Sequence, residues 1–162
     1  MNKNLKPQLS STHDNWSTPK KLIKLLEKDF GKFDFDPCPL RETFEENALF
    51  IDWKGNVFIN PPYSNVAEFL NKGLIELKKG NATQLIFLII PRTSTKYWEK
   101  YIMTYATEIY FINKRLKFGN SKSSAPFPSC IVQFNNLNIK DNVPCKIFDF
   151  RIREFLEGKN EF

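Results

Sequence analysis

The stretch NVFINPPYSN, residues 56 to 65, decides how this chain is read. An apolar strand, NVFI, runs directly into Asn60, two prolines and a tyrosine, and Ser64 suits the cap of a following helix. The prolines remove two backbone donors and stiffen the chain where the strand ends. The expectation is a strand, a rigid turn at its carboxyl end, and a helix.

Downstream, Val66, Phe69, Leu70, Gly73, Leu74 and Leu77 fall on one helical face before Lys78-Lys79-Gly80 ends the run. QLIFLII at 84 to 90 is nearly all apolar, as a central strand covered on both faces must be. A helix from about Ser94 to Tyr105 follows, then EIYFI at 108 to 112, RLKF at 115 to 118, CIVQF at 130 to 134, KIFDF at 146 to 150 and a short helix near 151 to 157.

Upstream, Thr18-Pro19 offers an N-cap and a first-turn proline. Leu22, Ile23, Leu26 and Phe30 then repeat at helical spacing, with Lys20, Lys21, Lys24 and Lys28 on a solvated face, until Gly31. FDFD at 33 to 36 reads as a short strand ending in Asp36-Pro37, residues 37 to 48 as irregular with one helical turn near Arg41 to Asn47, and LFI at 49 to 51 as another short strand. Strands alternating with helices over the first two thirds, with a β-rich last third, give an α/β fold with parallel strands and helices on both faces. A flexible arm over residues 1–13 and one domain over residues 14–162 are expected.

The chain of 162 residues carries 16 Phe, 3 Trp and 5 Tyr, more than a disordered chain would hold. A formal charge of +6 suits a polyanion, with nucleic acid first. Cys38, Cys130 and Cys145 show no CxxC or histidine spacing, which argues against a disulfide framework or a metal site and for a reduced cytoplasmic protein. The leader, with its lone His13, lacks the apolar core of a signal peptide, and LIFLII at 85 to 90 is far short of a membrane span.

Ligands of open α/β sheets bind beyond the carboxyl ends of the strands, where residues 60 to 63 would stand. The Asn60 side-chain carbonyl and the Pro61 backbone carbonyl are two adjacent acceptors, matched to an NH2 group. Tyr63 adds a flat face, and stacking of a base on an aromatic ring is worth about 1–3 kcal/mol. A duplex base would leave the helix to enter such a pocket. Orientation and paired acceptors would leave the amine lone pair free to attack, without a strong general base.

The segments DNWSTPKKLIKLL (14 to 26), FDFDPCPL (33 to 40), DWKGNVFINPPYSN (52 to 65), LIIPRTSTKYW (88 to 98) and RLKFGNSKSSAPFPSCIVQF (115 to 134) together resemble the phage-type, Dam-like DNA N6-adenine methyltransferases. The resemblance implies a compact, reduced Rossmann-like class I methyltransferase sheet, S-adenosylmethionine as cofactor, DNA as partner, and a phage or prophage origin. It implies that Asn60, Pro61, Pro62 and Tyr63 form the catalytic motif. Asp36, Pro37 and Cys38 would stand in the cofactor-binding element, with the Asp36 carboxylate on the methionine amino group. Trp16 and Thr18 would close over the methionine end, although Thr18 also suits a helix cap and Trp16 a core position. Asp52 would contact the adenosine part, or be a solvated turn residue.

The chain departs from larger methyltransferases in lacking glycines after Asp36, where it reads DPCPLRET, and in leaving only about a dozen residues before LFI. A reduced cofactor half follows. Lys114, Arg115, Lys117 and Lys122, with Arg92 and Lys96, would form a basic rim on the edge that carries NPPY, with Arg92, Arg115 and Phe118 touching substrate and Phe118 packed inside as the alternative. The competing functions are the same chemistry on RNA or a protein glutamine, and a non-catalytic nucleic-acid-binding relic of the fold. The expected assembly is a monomer or weak dimer away from any membrane.

Overall fold

A computed structural model describes residues 17–39, 46–118, 124–139 and 141–149. Helix α1 (Lys20–Phe30) leads to a 3-10 turn at Glu46–Leu49, strand β1 (Gly55–Ile59), helix α2 (Val66–Lys79) and strand β2 (Ala82–Ile89). A π-helical turn, Trp98–Ile102, runs into the short α3 (Met103–Tyr105), followed by β3 (Glu108–Ile112), β4 (Cys130–Phe134) and β5 (Cys145–Phe148). The strands form one mixed sheet in the order β1-β2-β4-β3-β5. β1, β2, β3 and β5 point the same way, and β4 runs against its neighbours β2 and β3.

Alternation along the strands splits the core between two faces. Val57, Ile59, Leu85, Phe87, Ile89, Val132 and Phe134 pack with Val66, Phe69, Leu70 and Leu74 of α2 and with Trp98 and Ile102. Phe58, Ile86, Leu88, Ile131 and Phe148 pack against Leu22, Leu25 and Leu26 of α1. Each such Val, Leu, Ile or Phe side chain contributes about 1.5–3 kcal/mol by its burial. Helices therefore cover both faces, and Leu85 to Ile90 are buried as an apolar central strand requires.

Polar contacts fix how α1 meets the sheet. The Asn56 amide nitrogen donates to the carbonyls of Phe30, Gly31 and Lys32 at 3.0, 3.1 and 3.0 Å, gathering the last turn of the helix onto β1. Gln84 donates to the Phe30 carbonyl at 2.8 Å and to Asn56 Oδ1 at 3.0 Å, and Gln133 donates to Gln84 Oε1 at 2.6 Å. One row of amides thus crosses three strands. Burial of polar groups is tolerated here because each amide has partners.

Several local expectations change. FDFD contributes a single parallel bridge, Phe35 to Val57, flanked by bonds from Asp34 N–H to the Asn56 carbonyl (2.8 Å) and from Phe58 N–H to the Phe35 carbonyl (3.0 Å). Proline at position 37 cannot continue that ladder. LFI is not a strand: Leu49 ends the 3-10 turn, which Trp53 Nε1 ties down through the Ala48 carbonyl at 2.8 Å, and Phe50 is 83% exposed. RLKF is irregular, and α2 begins at Val66 with Asn65, not Ser64, at its cap position. Pro19 holds the cap position of α1, whose start has no side-chain cap bond, so Thr18 does not cap it. The helix expected at 151 to 157, Trp16 and Lys122 lie outside the described residues.

Glu76 escapes the apolar pattern of α2. Its residue surface is fully covered, and its carboxylate accepts from Lys72 Nζ at 2.7 Å, Lys79 Nζ at 3.4 Å and Asn81 Nδ2 at 2.7 Å. The site lies shallow, beneath the lysine chains. Desolvation pushes the Glu76 pKa up, but the bonds from Asn81 and Lys72 and the charge of Lys72 outweigh it and hold the group at about 2. A depressed carboxylate stabilises the fold above its unfolded pKa, and that contribution disappears as pH falls through the folded value. Acid unfolding should therefore show a loss between about pH 4.5 and 2 that Glu76→Gln removes, read by circular dichroism across a pH series.

Gly55 has φ +69°, and a Cβ there would lie 2.4 Å from Asp34 Oδ2. Gly80, which ends α2 at φ +77°, has open space around the same position. Alanine at Gly80 should cost about 1–2 kcal/mol from the left-handed backbone alone. Gly55→Ala adds the collision with Asp34 and should lose clearly more in urea unfolding; equal losses would contradict the close approach.

Candidate active site

Strand direction assembles the site. The carboxyl ends of β1, β2 and β3 and the start of β4 share one edge of the sheet, because only β4 is reversed among them. Asn60 leaves β1 there, Arg92 follows β2, Lys114 and Arg115 follow β3, and Ser129 enters β4. The Ile112 N–H donates to the Ser129 carbonyl at 3.1 Å, closing the gap between β3 and β4. The bridge at Phe35 runs parallel to β1, so Asp36 comes out toward this edge, level with Phe58 two residues before Asn60.

The turn is built as the prolines require. Pro61 and Pro62 are buried, Tyr63 and Asn60 are half-buried, and the Pro62 carbonyl accepts from the Asn65 N–H at 3.0 Å to lead the chain into α2. The Asn60 amide nitrogen donates to Thr18 Oγ1 at 3.0 Å, joining residues 42 apart in sequence. Thr18 is thereby brought to the motif by a bond that sequence spacing did not announce.

Asp36 keeps an exposed surface, yet protein crowded behind it strips enough water from the carboxyl to push it up to about 6, against the pull of the Cys38 N–H at 2.8 Å. It is a carboxylate open on one side and poorly hydrated on the others. Pro37 is buried beside it. Burial first, and the Asp36 charge second, push the Cys38 thiol up, so Cys38 is a neutral neighbour and not a nucleophile.

The other expected residues divide. Arg92 is half-buried, and its charge acts on Tyr97, whose hydroxyl burial pushes up while Thr95 and Arg92 pull it down. Arg115 donates from Nη1 to the carbonyls of Ala125 (3.2 Å) and Pro126, so it braces the segment entering β4. Phe118 is 4% exposed within the core under α1 and anchors that segment instead of presenting its ring at the surface. Asp52 precedes β1 at the strand end opposite Asn60, and a five-residue strand measures roughly 17 Å. The structure does not bring Asp52 to the group around Asn60.

Tyr97, which sequence reasoning did not single out, interacts electrostatically with Arg92 and Cys130 at this edge. The signal was present, since TKYW places a hydroxyl-bearing ring just after the Pro91-Arg92 exit of a central strand. The start of α1 was also underrated. Thr18 lies at Asn60 while Phe30 to Lys32 lie at Asn56, so α1 runs antiparallel to β1, with Lys20 and Lys21 at the site end and Lys28 at the far end.

The arrangement offers a rigid amide at a strand end, an aromatic ring three residues on, a poorly hydrated carboxylate alongside, and cationic side chains along the rim. It suits a ligand with an amino group to be held by acceptors and a second cationic group for Asp36. Among the described residues no helix is long and apolar enough to cross a membrane.

Comparison with known proteins agrees with this chemistry. Residues 6–136 match the family model described as DNA N-6-adenine-methyltransferase (Dam). The chain is 30% identical over 123 residues to the DNA N-6-adenine-methyltransferase of Haemophilus phage HP1, covering 70% of each protein. It is 30% identical over 116 residues to the protein of the same description from Escherichia phage T1, covering 65% of this chain and 48% of that relative.

Asp36 titrates where few surface carboxyls do. Binding of a cationic ligand beside it should weaken as pH falls through about 6, because protonation removes the charge that holds the cation. Asp36→Asn should bind weakly at every pH and flatten that dependence. The variant should also be no less stable than the parent at pH 7, since its carboxyl ionises less readily folded than unfolded. Calorimetric titration and thermal melts at pH 5 to 8 check both.

Proposed function

The chain belongs to the DNA N-6-adenine-methyltransferase (Dam) family, and from that premise we propose that it transfers a methyl group from S-adenosylmethionine to the N6 amino group of adenine in DNA. The observation that carries the reading is the juxtaposition of Asn60 to Tyr63 with Asp36 at one sheet edge. The phage origin of both relatives supports a phage or prophage protein, working in the cytoplasm of a bacterial host. The finer fold reading belongs to the same proposal: a reduced Rossmann-like class I methyltransferase sheet, in one domain over residues 14–162. Its support is the parallel β1–α2–β2 unit with Asn60 at the carboxyl end.

The cofactor fits the donor set. An ammonium group placed beside Asp36 relieves the poor hydration that lifts this carboxyl to about 6, so the two groups favour each other. Asp36, Pro37 and Cys38 would hold the methionine end from the side of the bridge, with Thr18 across at Asn60. When bound, S-adenosylmethionine supplies a methyl group carried on a positively charged sulfur.

The chain's own contribution is orientation. Asn60 Oδ1 and the Pro61 carbonyl would accept the two hydrogens of the adenine amino group, turning the nitrogen lone pair out of the ring plane toward the methyl. Tyr63 would stack on the base and fix its plane, worth about 1–3 kcal/mol. As the new N–C bond formed and the methyl–sulfur bond broke to leave a neutral thioether, positive charge would grow on the nitrogen, and acceptors already in place would stabilise it without reorganising. One amino proton would then leave to water. A strong general base is unnecessary, because the ammonium cation formed when an aromatic amine is alkylated is a much stronger acid than the neutral amine.

Nucleic acid would approach along the rim of Arg92, Lys96, Lys114 and Lys117, joined by Lys20 and Lys21 at the start of α1. The deciding experiment is transfer of labelled methyl to unmethylated duplex DNA, with nucleosides identified after digestion and RNA and protein acceptors assayed in parallel. Label is expected in N6-methyladenine, and Asn60→Ala should lower the rate by about 10²–10³. Label in RNA or in glutamine, or cofactor binding without transfer to any acceptor, would overturn the DNA reading.

A further inference from the structure

Thr18 has an unusual set of constraints for a residue just ahead of a helix. Its hydroxyl would ordinarily cap α1, but the start of α1 has no side-chain cap bond, and Thr18 Oγ1 instead receives the Asn60 amide nitrogen at 3.0 Å. The position is held firmly. Proline at 19 restricts Thr18 to extended backbone, Leu22, Leu25 and Leu26 bury the next turns, and the three bonds from Asn56 fix the far end of the helix.

Asn60 needs such a partner. The χ2 torsion of asparagine has a broad, roughly two-fold profile, so the strand end alone does not decide which side of the amide carries oxygen. A turned amide would aim its NH2 at the hydrogens of an amine. With Nδ2 directed at Thr18, Oδ1 occupies the other branch of the planar amide.

Resting on the methyltransfer reading above, we propose that Thr18 is a positioning residue: its hydroxyl holds the Asn60 amide in the rotamer that turns Oδ1 toward the substrate amine. This role is distinct from gripping the methyl donor. It also couples the segment before α1 to the chemical step, since displacement of Thr18 releases Asn60.

The test compares the wild type with Thr18→Val, which keeps the branched shape and loses the hydroxyl, and Thr18→Ser, which restores it. Thr18→Val should lower kcat for adenine methylation about tenfold, as loss of one hydrogen bond allows, with KM for DNA unchanged and any rise in KM for S-adenosylmethionine smaller than the fall in kcat. Thr18→Ser should return kcat to near the wild-type value. In protein labelled with 15N-asparagine, the Asn60 side-chain NH2 signals should shift in Thr18→Val and return in Thr18→Ser, a readout independent of turnover. Thermal melts establish that both variants are folded.

An unchanged kcat in Thr18→Val, a defect confined to KM for S-adenosylmethionine, or failure of serine to rescue would each overturn the proposal while leaving the activity intact. A wild type that methylates no adenine overturns the activity reading itself and the positioning role with it. Unshifted Asn60 NH2 signals in Thr18→Val would remove the hydrogen bond as the cause of any effect on rate.

Discussion

Asp34 sets the register on which the site depends. Its backbone N–H donates to the Asn56 carbonyl at 2.8 Å, and its carboxylate accepts the Asn56 N–H at 2.9 Å, so one residue grips both backbone groups of its neighbour. Two bonds to one residue leave no freedom to slide. A slip of one position would send Phe35 to the opposite face and carry Asp36 away from Asn60. Gly55 makes the grip possible by leaving room for the carboxylate, with backbone geometry that a side chain would oppose.

The amide row extends that control across the sheet. Asn56 receives Gln84 and Gln84 receives Gln133, and the donors of Asn56 converge on the carbonyls of Phe30, which ends α1, and of Gly31 and Lys32 just beyond it. Those carbonyls lack partners within the helix, so the sheet completes the helix end. The consequence reaches the other end of α1. A helix tied down at Phe30 and packed through Leu22, Leu25 and Leu26 delivers Thr18 to a defined place at Asn60. Control of the edge that carries Asn60 therefore begins at the opposite edge.

Much of this was legible because the strands are apolar and their ends are punctuated. EIYFI and CIVQF form the strands that their composition indicates, and QLIFLII lies buried as expected. The sequence could also place Asn60 and Asp36 at strand ends, because proline follows each. What it could not give was pairing between distant polar side chains. Asn56, Gln84 and Gln133 look like interruptions in apolar strands until they are seen together, and the Thr18 hydroxyl has the same local signature whether it caps a helix or accepts from Asn60. Phe118 was open to two readings for a related reason: a ring among lysines can point either way, and the structure buries it. LFI had apolar residues but no strand to pair with, which composition does not reveal.

The reversal of β4 has an effect on what this small enzyme can become. Because β3 and β4 are antiparallel neighbours, with Phe111 opposite Cys130, the chain from 113 to 129 leaves and rejoins the sheet at adjacent points on the edge that carries Asn60. Arg115 and the Leu116–Ala125 bond tie its two limbs together near the base. Change beyond that neck does not propagate into the register of the strands, and each doubling of loop length costs only about 0.6 kcal/mol in closure entropy. Insertions between Leu116 and Ala125 are therefore tolerated beside the turn at Asn60 without rebuilding the core.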